Sequence, residues 1–198
     1  DMHLLVGDTI YFSASDGSTG RELWAHDTSN HSTWQVADIN SGGSSSYPGN
    51  NMHLLVGDTI YFSANDVSTA VELWAHDTSN HSTWQVADIA SGVGNSGPGS
   101  YMVLLVGDTL YFDANDGSTG RELWAHDTSN HSTWQVADID SGHSASGPGY
   151  DMHLLVGDTI YFSAWDGSTG TELWAHDTSN HSTWQVADIN SGGGSSRP

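Results

Sequence analysis

Glu22-Leu23-Trp24-Ala25-His26-Asp27-Thr28-Ser29-Asn30-His31-Ser32-Thr33-Trp34-Gln35-Val36-Ala37-Asp38-Ile39 returns letter for letter at 72–89, 122–139 and 172–189, each time 50 residues on. A fixed period of this size marks a repeat architecture. One period buries too little surface to stand alone. The 198 residues therefore read as a single domain, 1–198, built from repeats 1–50, 51–100, 101–150 and 151–198.

Working outward from that stretch, Glu22 to Asp27 reads as a strand, and Thr33 to Ile39 as the next, with a polar turn between them. Upstream, Met2 to Val6 and Thr9 to Ala14 are apolar, β-branched and aromatic runs separated by Gly7-Asp8, the mark of a tight hairpin. Asn40 to Asn50 is a Gly/Ser/Pro-rich link. No window carries a helical period. We name the four strands A to D. Strand B sets Ile10, Phe12 and Ala14 on one side and Tyr11 on the other. Strand D sets Trp34 and Val36 opposite Ala37 and Ile39. A sheet apolar on both sides suits a place between two neighbours. The expected fold is all-β: a β-propeller of four blades, each of four antiparallel strands, one repeat per blade. Tyr11, Trp24 and Trp34 are expected to pack between blades. A larger ring built from two chains, an open solenoid and a sandwich are the alternatives.

Composition narrows the partners. There are 24 acidic residues against three arginines and no lysine, a net charge of −21. Such a chain repels phosphate backbones and anionic lipid, which argues against nucleic acid. No run approaches the roughly 20 apolar residues of a membrane span. Without cysteine there is neither a disulfide nor a thiolate metal site. No signal peptide is visible at Asp1, so the stretch reads as intracellular, mature or excised. Asn30-His31-Ser32, repeated in every copy, is a glycosylation sequon.

Val6-Gly7-Asp8-Thr9-Ile10-Tyr11-Phe12-Ser13-Ala14, Asp16-Gly17-Ser18-Thr19-Gly20-Arg21 and Glu22-Leu23-Trp24-Ala25-His26-Asp27 together resemble the ELWxxDGT repeats of large bacterial proteins. The resemblance covers all four units. It departs at Asp27-Thr28-Ser29, where that family has Asp-Gly-Thr. It implies a propeller-like fold and an extracellular or cell-surface setting, and it supplies no catalytic residues. The composition leaves a cytoplasmic setting open.

Apart from Ile10 becoming Leu110, the copies differ in two stretches, the B–C region and the D–A link with the start of A. In a meander these lie at the same end of the strands, opposite the A–B and C–D turns. One reading makes the varied end a recognition face on a fixed scaffold, natural or engineered. The other holds that the C–D turn is frozen by its own hydrogen bonds while the remaining loops drift. On the first reading the candidate ligand-binding residues are Ser15, Asn65, Asn115 and Trp165; Arg21, Val71, Arg121 and Thr171; Asn40, Asp140, Asn95 and His143; Tyr47 and Arg197; and Asp1, Tyr101 and Tyr150. Aromatic and arginine anchors among Ser, Gly and Asn resemble a paratope.

Three chemistries compete with plainer roles for these residues. Asp16 with Glu22, and likewise Asp66 with Glu72, Asp116 with Glu122 and Asp166 with Glu172, place carboxylates around a turn as calcium requires. The plain role is an Asp-Gly turn beside a strand. His26 and His31 flank a turn and could meet at zinc or nickel; such residues more often pack at an edge. Ser29, His31 and Asp27 are neighbours, but a triad needs an oriented base and an oxyanion hole. The expectation is a non-enzymatic recognition module, monomeric or a small homo-oligomer, without a required cofactor. Its ligand is expected to be a protein. A lectin-like propeller and a structural or adhesin repeat unit stabilised by calcium are the alternatives.

Overall fold

The computed structural model describes residues 2–198, and no helix occurs among them. The first repeat supplies β1 (His3–Val6), β2 (Thr9–Ser15), β3 (Arg21–Asp27) and β4 (Thr33–Ala37). The second supplies β5 (His53–Val56), β6 (Thr59–Asp66), β7 (Ala70–Asp77) and β8 (Thr83–Ala87). The third supplies β9 (Val103–Val106), β10 (Thr109–Asn115), β11 (Arg121–Asp127) and β12 (Ser132–Ala137). The fourth supplies β13 (His153–Val156), β14 (Thr159–Trp165), β15 (Thr171–Asp177) and β16 (Ser182–Ala187). Each repeat forms its own four-stranded antiparallel sheet in chain order, the blade of a β-propeller. The chain falls into two compact units, Asp1–Pro98 and Gly99–Pro198, of two sheets each.

The local chemistry explains the meander. Val6 pairs with Thr9, so Gly7-Asp8 is a two-residue turn, and Gly7 takes the positive φ of 57° that such turns demand. The C–D turn is held by one carboxylate. Asp27 accepts from the Ser29 amide and hydroxyl and from the Asn30 side-chain amide, at 2.8, 2.6 and 2.8 Å. Asn30 in turn accepts from the Ser32 amide. This network lets His31 sit at φ 63°, and it repeats around His81, His131 and His181. The invariance of the C–D turn therefore has a structural cause.

Strand D stops at Ala37, two residues short of the expected Ile39. Register shifts between Leu23, opposite Ala37, and Trp24, opposite Gln35, leaving Val36 as the extra residue of a bulge. Beyond the strand, the Ile39 amide donates to Glu22 Oε2 at 2.8 Å. The alternation expected for strand D is lost there, and Val36 and Ile39 join the same core instead of facing opposite sides.

That core defines two faces of every sheet. In the first unit, Met2, Tyr11, Leu23 and Ala25 of the first sheet are buried against Ile60, Phe62 and Ala64 of the second. Leu4, Val6, Val36 and Ile39 extend the first set; Leu55 and Trp74 extend the second. We call the first set the back face and the second the front face. The second unit repeats the arrangement, with the back of the third sheet (Met102, Tyr111, Leu123, Ala125) against the front of the fourth (Ile160, Phe162, Ala164). Tyr11 thus packs between sheets as expected. Trp34 does not: it stays 37% exposed, whereas Trp134 lies against the second unit's core.

Candidate functional site

The D–A link is stapled to strand C by the invariant glutamate of the repeated stretch. Glu122 is buried; its Oε1 accepts from the Ser146 amide at 2.9 Å, and its Oε2 accepts from the Ser146 hydroxyl at 2.6 Å and the Ile139 amide at 2.9 Å. Glu22 and Glu72 make the same bonds to Ser46 and Ser96. Desolvation raises all three carboxyls against these donors, Glu122 to about 7. The link then bonds the B–C region: the Trp165 amide donates to Ser146 O, and the Asn65 amide to Ser46 O. Within each unit the two varied stretches therefore share one end of the sheets.

In the second unit that end holds a cavity of about 370 Å³, lined by Tyr101, Asn115, Arg121, Tyr150, Trp165 and Thr171 with Asp151 and the 145–147 link. The Tyr101 and Tyr150 rings meet edge to face, 4.8 Å apart. The Arg121 guanidinium lies 5.4 Å from the centre of the Tyr101 ring. Beneath it, Asp113 is wholly buried and pairs with Arg121 at 2.5 Å. The other carboxylate oxygen accepts from the Tyr101 and Met102 amides at 2.8 and 2.9 Å. Burial raises the Asp113 carboxyl, opposed by those two amides and by Arg121. In the second and fourth repeats a serine hydroxyl, Ser63 or Ser163, takes the two amides. Asp113 is thus the change that pins Arg121 over Tyr101. The sequence carries it as Ser13/Ser63/Asp113/Ser163, yet nothing local marks it as a site residue, because its partner is eight residues away across a hairpin.

The remaining candidates fall into three groups. Ser15, Asn95, His143 and Arg197 are exposed, and Tyr47 is about half exposed, on their own loops. Arg21, Asn65 and Val71 are half-buried. Asn40 and Asp140 are buried and do not present themselves to a ligand. Asn40 spends its amide on Ser45 O. Asp140 has no such donor to offer when ionised, and burial, Asp166 and Asp138 raise its carboxyl. Asp1 lies outside the described residues.

The metal and triad readings meet side chains already engaged. Asp16 accepts from the amides and hydroxyls of Ser18 and Thr19, while Glu22 is buried on the Ser46 staple. The same division holds for Asp66 and Glu72, and for Asp116 and Glu122. Asp166 likewise serves Ser168 and Thr169, while Glu172 accepts from the Ile189 and Ser196 amides. An oxygen set facing N–H donors is not arranged for a cation. His26 bonds Thr33, its ring 6.3 Å from that of His31. Among the described residues no three His, Asp or Glu side chains come together in metal-binding geometry. Ser29 donates to Asp27, and Asp27 orients the turn.

No protein-family model and no curated protein matches the chain. Solved structures do share its fold. Puromycin hydrolase aligns with a TM-score of 0.58 at 13% identity, over 95% of this chain and 28% of its own. The GH74 xyloglucanase of Xanthomonas campestris gives 0.55 at 13% identity, over 91% and 28%. A TolB of Agrobacterium tumefaciens gives 0.52 at 14%, over 95% and 64%. The chain spans less than two thirds of each of them. At this identity the likeness is one of fold, and the fold is the β-propeller.

Proposed function

We propose that this protein is a non-enzymatic recognition module whose ligand, a protein, enters the cavity of the second unit. The observation that carries the reading is the convergence of Tyr101, Tyr150, Trp165 and Arg121 on one cavity of about 370 Å³. That volume lies at the small end of ligand pockets and suits one or two inserted side chains. The anchors are braced in advance, ring on ring and guanidinium on carboxylate, so little freedom is lost on binding. The variation between copies alone would not carry this, since the C–D turn is held by its own bonds. The resemblance to exported bacterial repeats suggests an extracellular or cell-surface setting.

A carbohydrate ligand is the second reading. It is favoured by Trp165 and the tyrosine rings standing beside Asn115 and Asp151, whose polar groups suit sugar hydroxyls. A displayed random-peptide library and a glycan array, each probed with the wild type and with Trp165→Asn, separate the two. Asn is the residue of the second repeat at this position. Peptides whose binding falls at least about tenfold in the variant support the proposal. Sugar binding lost in the variant transfers it to the second reading. Binding indifferent to Trp165 would sink both.

A further inference from the structure

We propose that a second copy of this chain docks head to tail, its fourth sheet's back face covering the first sheet's front face. Inside each unit the same residues already form this interface. Ile60 and Ile160 are fully buried on front faces that a back face covers. Their counterpart Ile10 is 37% exposed and Leu5 63%. A groove of about 410 Å³ lined by His3, Leu5, Asp8 and Ile10 lies open there. The reciprocal surface is open too. Leu4, Val6, Val36 and Ile39 pack into the first unit's core, yet their counterparts Leu154, Val156, Val186 and Ile189 are all exposed, Ile189 by 59%.

The two bare faces therefore carry the two halves of a contact that the chain makes twice internally, with the same side chains. Ring partners repeat as well. His76 packs on Tyr11 at 5.3 Å and His176 on Tyr111 at 5.4 Å; Tyr161 of a second copy would meet His26 in the same way. Apolar patches of this kind mark interaction surfaces. Because the two halves differ, the contact is heterologous.

Sedimentation velocity over a range of concentrations tests this with two variants, Leu5→Arg to block the front and Ile189→Arg to block the back. Both positions are exposed, so neither change disturbs the fold, and thermal melting of each variant verifies that. The wild type is expected to self-associate, more tightly with added salt because each copy carries −21. Each variant alone is expected to lose at least about tenfold in association. An equimolar mixture is expected to form a one-to-one dimer through the one intact pair of faces. A wild type that stays monomeric, a variant that still self-associates, or a mixture that does not pair overturns the proposal.

Discussion

The same end of the two units has one backbone and two chemistries. In the first, Asn65 N–H donates to Ser46 O at 2.8 Å and Gly49 N–H to Ser63 O at 2.8 Å; in the second, Trp165 to Ser146 and Gly149 to Ser163 do so at 2.9 and 2.8 Å. Yet where the second unit has Tyr150, Trp165 and Thr171, the first has Asn50, Asn65 and Val71. Where the second has Gly147, lining the cavity, the first has Tyr47. Arg21 donates to the Ser13 carbonyl, while Arg121 is held by a carboxylate. The invariant glutamate–serine staple sets the frame, and individual side chains decide whether a cavity stands on it.

The largest effect should come from breaking the pair that exists only in the second unit. Arg121→Ala leaves Asp113 buried and unpaired, and should cost about 3 kcal/mol in urea denaturation. Adding Asp113→Ser restores the serine of the other copies and should recover most of it. A loss that persists in the double variant would mean that Arg121 stabilises by packing alone.

Next in size is exchange of the position that separates the two ends. A β-carbon at 147 would lie 3.9 Å from the Tyr101 ring. Gly147→Tyr should therefore fill the cavity and cut ligand binding at least about tenfold, or 1.4 kcal/mol, while the left-handed backbone at φ 57° costs about 1–2 kcal/mol of stability. Tyr47→Gly should leave binding untouched. Equal loss from both would place the ligand elsewhere.

The staple makes a pH prediction. Glu122 titrates near 7 in the folded chain against an ordinary 4.5, so between those values the folded state holds the extra proton. Its contribution is full below pH 4.5 and is lost as pH rises through 7. His76, His126 and His176, pushed down to about 4 by burial, act oppositely: their contribution is full above 6.5 and is lost as pH falls toward 4. The whole-chain profile mixes the two. The stability difference between wild type and Glu122→Gln should isolate the first, shrinking from pH 4.5 to 7. A flat difference would show that the carboxyl is ionised throughout.

The smallest effect concerns Ala70, at φ 58° where the first, third and fourth repeats have glycine. Left-handed backbone costs alanine about 1–2 kcal/mol, and glycine's extra unfolded freedom returns part of that. Ala70→Gly should raise stability by roughly 0.5 kcal/mol, read from the urea midpoint.

Strand order, the A–B turn and the side assignments of strand B were legible because a two-residue alternation and Gly7-Asp8 are local signals. Strand D misled at Ile39 because its alternation is broken by a bulge whose cause, the Glu22 carboxylate, arrives from another strand. Asn40 and Asp140 look like surface polar residues in a Gly/Ser link, yet burial removes them. Asp113 and Gly147 carry no local signature as site residues. Each matters only because a hairpin brings Arg121, or a neighbouring loop brings Tyr101, beside it.

By itself the sequence determined the repeat, the blade and its two apolar faces, because period and alternation are written along the chain. Only the tertiary structure decided which polar residues are buried staples, which varied residues share a cavity and which apolar faces stay bare. Those outcomes depend on contacts between residues tens of positions apart, and identical repeats meet different neighbours.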